Sequence, residues 1–261
     1  MKKSSKGFTL VELLVVIGIL GILMSVLFPQ VSSAIFTANL SACSMKGRKL
    51  FQAITQSEIS RLQVGRGTVW PQNGSSGSEG GDTSDIAAQS FNNSADYFTK
   101  LFDLENASSG EGKHMPYVDK ETALDLLWGF GVNPARTGTT KFQGDNILWT
   151  IAANMPDGAP DFIPVLVSRN VPADKLLNKM ASAQSTRIGI GSKNGAKFDT
   201  PFGSKGCVII TRGGAAKTID NPNNATYDVL YNQVFDISES SEDRGAFCYL
   251  GPNTKETPTS N

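Results

Sequence analysis

The stretch from Phe8 to Phe28, FTLVELLVVIGILGILMSVLF, limits what this chain can be more than any other part of it. It runs for 21 residues with Glu12 as its only ionisable side chain. At about 1.5 Å per residue, a helix of this length reaches about 30 Å, the thickness of a bilayer's hydrocarbon core. The short basic MKKSSKG before it belongs on the cytoplasmic side under the positive-inside bias, so the remainder is expected across the membrane. Glu12 is the anomaly. A carboxylate at the centre of a membrane helix costs about 2.5–3.5 kcal/mol, so the sequence implies a partner for it.

Three readings compete for this segment. An ordinary secretory signal peptide finds a small-residue cut site in VSSA, Val31 to Ala34, but its apolar core is usually 7–15 residues and carries no charge. A plain single-pass anchor leaves Glu12 unexplained. In the third, the chain is cut after Gly7, and Phe8 becomes a free amino terminus one helical turn from Glu12. Ammonium and carboxylate then neutralise each other in a low-dielectric layer. An amine from a neighbouring subunit would also set axial register.

KGFTLVELLVVIGILGILMSVLFP resembles the N-terminal signature of type IV pilins and of the pseudopilins of type II secretion systems. The resemblance lies in a basic leader ending at Gly7, followed by Phe8, Thr9, Leu10, Glu12, Gly21 and Pro29. It covers residues 1–35 at the level of a motif. It implies cleavage between Gly7 and Phe8 by a prepilin peptidase, N-methylation of Phe8, and a role for Glu12 in docking subunits into a helical filament. The partners implied are other pilin or pseudopilin subunits, that peptidase, an inner-membrane assembly platform and the lipid bilayer before assembly. The location implied is the bacterial inner membrane, with one span, a cytoplasmic N-terminus and a periplasmic or extracytoplasmic domain.

Pro29 lacks an amide donor and its ring crowds the carbonyl of Ser25. It marks either the membrane exit or a kink or local melting point that lets helices repack on assembly. Beyond it Phe36, Leu40, Cys43, Gly47, Leu50 and Ile54 step by four and three, one face of a helix continuing to about Arg61. Gly47 on that face either admits a close strand or is simply tolerated. The expected organisation is a leader at 1–7, a membrane helix at 8–28, an amphipathic helix at 29–62 and a globular domain at 63–261.

Within that domain QNGSSGSEGGDTSDIAAQS, 72–90, and NASSGEGKHMP read as loops. Ser94 to Glu105 reads as a helix capped by Ser94, and Asp119 to Gly131 as one capped by Asp119 and ended by Gly129 or Gly131. Ala173 to Ala181 is a third. ILWTIA, FIPVLVSR, TRIGIG, CVIITRGGAAKTID, YDVLYNQVFDI and GAFCYLG read as strands, with a hairpin turn at Arg212–Gly214. The fold class is α+β: a long N-terminal helix, half membrane-spanning and half amphipathic, packed on an antiparallel sheet.

Composition removes several functions. With 24 basic and 24 acidic residues the chain has no basic excess for nucleic acid. A single histidine, His114, leaves little room for histidine-dependent catalysis, and neither a G-x-S-x-G nor a phosphate-binding loop is present. The chain is expected not to be an enzyme. Cys207 and Cys248 fall in expected strands of an exported domain and either form a disulfide or stay as buried thiols. Cys43 belongs to the helix face. Asp236, Glu239, Glu242 and Asp243 in DISESSEDRG are either a calcium loop, which needs six to eight oxygens, or a solvated acidic turn. Major pseudopilins are similar in carrying a C-terminal calcium loop, and no other cofactor is expected. Trp70, Trp128 and Trp149 are either core residues or sugar-binding aromatics.

The function expected is a prepilin-type filament subunit, most consistent with a type II secretion pseudopilin. Two alternatives stand beside it. One is a surface-exposed ligand-binding protein or adhesive minor pilin on the same anchor. The other is a membrane-tethered hydrolase with facing carboxylates.

Overall fold

The computed structural model describes residues 9–72, 85–104, 111–112, 115–128, 147–156, 158–176, 188–191, 202–221, 223, 225–226, 247–252 and 255–256. Helix α1 spans Leu10–Gln63, 54 residues, without interruption at Pro29. The chain divides inside this helix into two compact units, one ending at Asn39 and one beginning at Leu40. The second half of α1 is an integral part of the second compact unit.

In the first unit, every residue from Leu10 to Ile35 is exposed, Leu10 at 79% and Phe28 at 75%. Ser25 and Ser32 donate their hydroxyls back to the carbonyls of Ile22 (2.7 Å) and Phe28 (3.1 Å). Two polar side chains in an apolar stretch are thus satisfied by the helix's own backbone, as a membrane segment requires.

In the second unit, Leu40, Cys43, Gly47, Leu50, Ile54, Ser57 and Arg61 form the buried face of α1. This is the expected three-and-four stepping, extended by two polar residues. Arg61 is held by an ion pair with Asp85, and its Nε donates to the Gly67 carbonyl at 3.0 Å. Gly47 admits a close approach. A Cβ there would lie 2.7 Å from the Trp149 ring and 2.8 Å from Ile210.

The remaining elements, among the described residues, are α2 (Ser94–Leu101), β1 (Glu111–Gly112), β2 (Met115–Asp119), α3 (Lys120–Leu127), β3 (Trp149–Ala153), β4 (Pro164–Ser168), α4 (Ala173–Leu176), β5 (Cys207–Thr211), β6 (Ala216–Ile219), β7 (Cys248–Leu250) and β8 (Lys255–Glu256). A single 3-10 turn covers Ile86–Ala88. Strands β1 and β2 pair with each other, and the rest form a six-stranded sheet in the order β6-β5-β4-β3-β7-β8. Every neighbouring pair in it is antiparallel. The expected α+β class and the long helix against an antiparallel sheet are what the structure has.

All residues of β3, β4 and β5 are buried, which explains why these strands read as continuous apolar runs instead of alternating ones. Trp149 and Ile210 face α1. Ala152, Val167, Cys207, Ile209 and Tyr249 of the sheet cluster with Leu176 and Phe247. The indole of Trp149 donates to the Leu126 carbonyl at 3.0 Å, so the largest core side chain leaves no polar atom stranded. The β5–β6 turn closes through Thr211 N–H to the Ala215 carbonyl at 2.9 Å, with Gly214 at φ +78°. Only glycine takes that backbone cheaply.

Two helix boundaries differ from expectation. Asn93, not Ser94, caps α2: its side chain accepts the Asp96 amide at 2.8 Å. Ser94 is freed to donate to the Trp149 carbonyl at 2.9 Å. Helix α3 is capped by Asp119 as expected, through the Thr122 amide at 2.7 Å, but it stops at Leu127. There Lys46 of α1 donates to the carbonyls of Asp125 (2.7 Å) and Trp128 (3.3 Å) and pairs with the Asp125 carboxylate at 2.8 Å. A cation on the last carbonyls of a helix complements its dipole. In the stretch TRIGIG the described residues 188–191 are not strand, and YDVLYNQVFDI lies outside the described residues.

Candidate functional site

The N-terminal turn of α1 carries the functional geometry. A helix start leaves four amides without intrahelical acceptors. Here Thr9 stands just before the first helical residue and Glu12 three positions on. The Glu12 amide donates to Thr9 Oγ1 at 3.3 Å. In return Glu12 Oε2 accepts the Thr9 amide at 2.9 Å and the Thr9 hydroxyl at 2.8 Å. This is a reciprocal capping box. The partner of the Glu12 carboxylate in this structure is therefore Thr9, within the same turn. The Phe8 amine expected from the sequence lies, with Gly7, outside the described residues. The Thr-x-x-Glu spacing was the signal that sequence reasoning passed over.

The capping box uses only groups C-terminal to Phe8, so a cut between Gly7 and Phe8 leaves it intact. Both bonds to the carboxylate fall on Oε2. Downstream, α1 is long and apolar enough to cross a membrane. Gly18 and Gly21 meet nothing within 4 Å and notch its exposed surface. Pro29 neither ends nor melts the helix here.

The other expected sites fare differently. Cys207 in β5 and Cys248 in β7 are not bridged. Strands β4 and β3 lie between them, so their separation is three inter-strand spacings, about 14 Å, against a limit near 7 Å for a disulfide. Burial pushes the Cys207 thiol up to about 12, which leaves it inert. Asp236, Glu239, Glu242 and Asp243 lie outside the described residues, as does His114. Among the described residues no three His, Cys, Asp or Glu side chains gather to hold a metal.

The folded domain also has a groove of about 730 Å³ beside the end of α1. Among the described residues its lining includes one carboxylate, Glu58.

Residues 2–28 match the family described as "Prokaryotic N-terminal methylation motif". Over these residues the chain is similar to the prepilin-type N-terminus of type IV pilin-like proteins. The match spans the basic leader, the expected cut site, the capping box and the whole apolar run. No curated protein and no solved structure matches the chain. A prepilin-type motif of this kind supports a pilin or pseudopilin filament subunit, processed by a prepilin peptidase and anchored in the inner membrane before assembly.

Proposed function

We propose that this pilin-like chain is a pseudopilin of a type II secretion system, cut after Gly7, methylated on Phe8 and assembled through α1. The observation that carries the proposal is the pairing of a prepilin motif with a 54-residue helix that is exposed at every residue from Leu10 to Ile35 and apolar from Leu10 to Phe28 apart from Glu12 and Ser25. Such a surface is satisfied first by lipid and then by the same surface of neighbouring subunits. In lipid, helix association comes from close packing and polar contacts, not from hydrophobic burial. Gly18 and Gly21 let backbones approach, and Glu12 supplies the polar contact. On assembly its second carboxylate oxygen meets the methylated ammonium of Phe8, from its own chain or the adjacent one, while Oε2 keeps the Thr9 turn closed. Pro29 eases bending when helices repack. The domain, across the membrane from the leader, coats the filament and meets the secreted client.

Deleting the gene in its own host tests the secretion assignment. Loss of secreted enzymes from the medium with surface pili intact is the expected result. Loss of pili with secretion intact would make the chain a pilus subunit instead.

A further inference from the structure

Of the three tryptophans singled out in the sequence, Trp149 is buried in the core and Trp128 lies under the Lys46 ammonium, 5.2 Å from its ring centre. Trp70 has neither fate. It is half-exposed and lines the 730 Å³ groove next to Phe51, the two rings 5.9 Å apart and inclined at 46°. That volume lies inside the range of about 300–1,000 Å³ typical of small-ligand sites. Around the rings stand Glu58, Gln72, Asn154 and Arg212.

These polar groups sit on fixed backbone. Glu58 accepts the Val69 amide at 2.6 Å. The Asn154 amide donates to the Pro71 carbonyl at 3.0 Å, and Asn154 holds φ +55°, the left-handed region that asparagine enters more readily than most residues with a side chain. The Arg212 amide donates to the Ile163 carbonyl at 2.8 Å.

The geometry points to a binding site for a neutral oligosaccharide in the groove between Trp70 and Arg212. Among the described residues one carboxylate, Glu58, and one guanidinium, Arg212, line the same space and bring opposite charges to it. Planar amide, carboxylate and guanidinium groups each exchange paired hydrogen bonds with vicinal hydroxyls. The faces of Trp70 and Phe51 take the apolar C–H face of a pyranose ring. An open aromatic surface beside such polar groups suits a ligand that is amphipathic on the scale of one ring. The site is independent of the filament assignment and would serve a secretion subunit or an adhesive one alike.

The test is calorimetric titration of the full chain in detergent micelles with neutral tetrasaccharides of glucose and of N-acetylglucosamine. Saturable binding of at least one is expected, weakened at least 10-fold in Trp70→Ala. Glu58→Gln keeps an acceptor for the Val69 amide, so its fold should hold, and it is expected to weaken binding several-fold. Circular dichroism melts establish that both variants are folded. Absence of saturable binding by either sugar at millimolar concentration would overturn the site. So would binding unchanged in both folded variants, or a groove that a peptide or a second copy of the chain occupies in preference to sugar.

Discussion

The two halves of α1 share one backbone and differ in what their side chains meet. From Leu10 to Ile35 every residue is exposed, and up to Phe28 the helix is apolar apart from Glu12 and Ser25. From Leu40 to Gln63 one face is buried and the other carries Lys46, Arg48, Lys49 and Gln52. Glycine makes the contrast sharpest. Gly18 and Gly21 meet nothing within 4 Å, whereas a Cβ on Gly47 would collide with Trp149 and Ile210. The same residue is a vacancy for a future neighbour in one half and a completed contact in the other. One half is finished by lipid or other subunits, the other by its own sheet.

The largest effect that tests this difference is Trp149→Ala. It opens a cavity beneath the second half and strands the Leu126 carbonyl, and is expected to lower the unfolding free energy by about 3–5 kcal/mol. Denaturant unfolding of the full chain in detergent, followed by circular dichroism, reads it. Gly47→Ala should cost about 1–3 kcal/mol by overpacking in the same assay. Gly18→Ala, with open space around it, should leave domain unfolding unchanged while reducing incorporation into filaments. Equal effects of the two glycine substitutions on domain stability would erase the comparison.

Smaller still is the Thr9–Glu12 turn. Thr9→Val removes both the acceptor for the Glu12 amide and the hydroxyl donor, at a cost of about 1 kcal/mol confined to the first turn. Faster amide exchange at residues 10–12 with unchanged domain stability is the expected signature.

Alkaline pH acts on two buried groups of the second unit. Cys207, ordinarily at 9.0, is pushed up to about 12, and burial also raises Tyr97 well above its usual 10.0. Between the ordinary and the raised values the unfolded chain has released protons that the native chain keeps. Stability from both groups is therefore complete below pH 9 and is lost as pH rises above it. A melting temperature flat from neutral pH to pH 9 and falling beyond it checks the sign.

What the sequence made legible follows the same division. The buried face of α1 could be read from Leu40 to Ile54 because apolar spacing and burial coincide there. It could not be read at Ser57 and Arg61, since their burial depends on distant partners such as Asp85. The strands announced themselves as apolar runs, but their order did not. A Cys207–Cys248 bridge was conceivable only while β3 and β4 had not been placed between them. Asn93 and Ser94 are both good caps, and spacing alone could not choose between neighbours. Glu12 is the reverse case. Its Thr9 partner stands three residues away, at the Thr-x-x-Glu spacing of a capping box.

The central claim is that this N-terminus is built to be cut and then to assemble. Co-expression with a prepilin peptidase, followed by mass spectrometry of the mature chain, tests it most directly, with Glu12→Ala in parallel. The account predicts a start at N-methylated Phe8 in both proteins, with filament incorporation lost only in the variant. A mature start near Ile35, or a chain left uncut at Gly7, would contradict it.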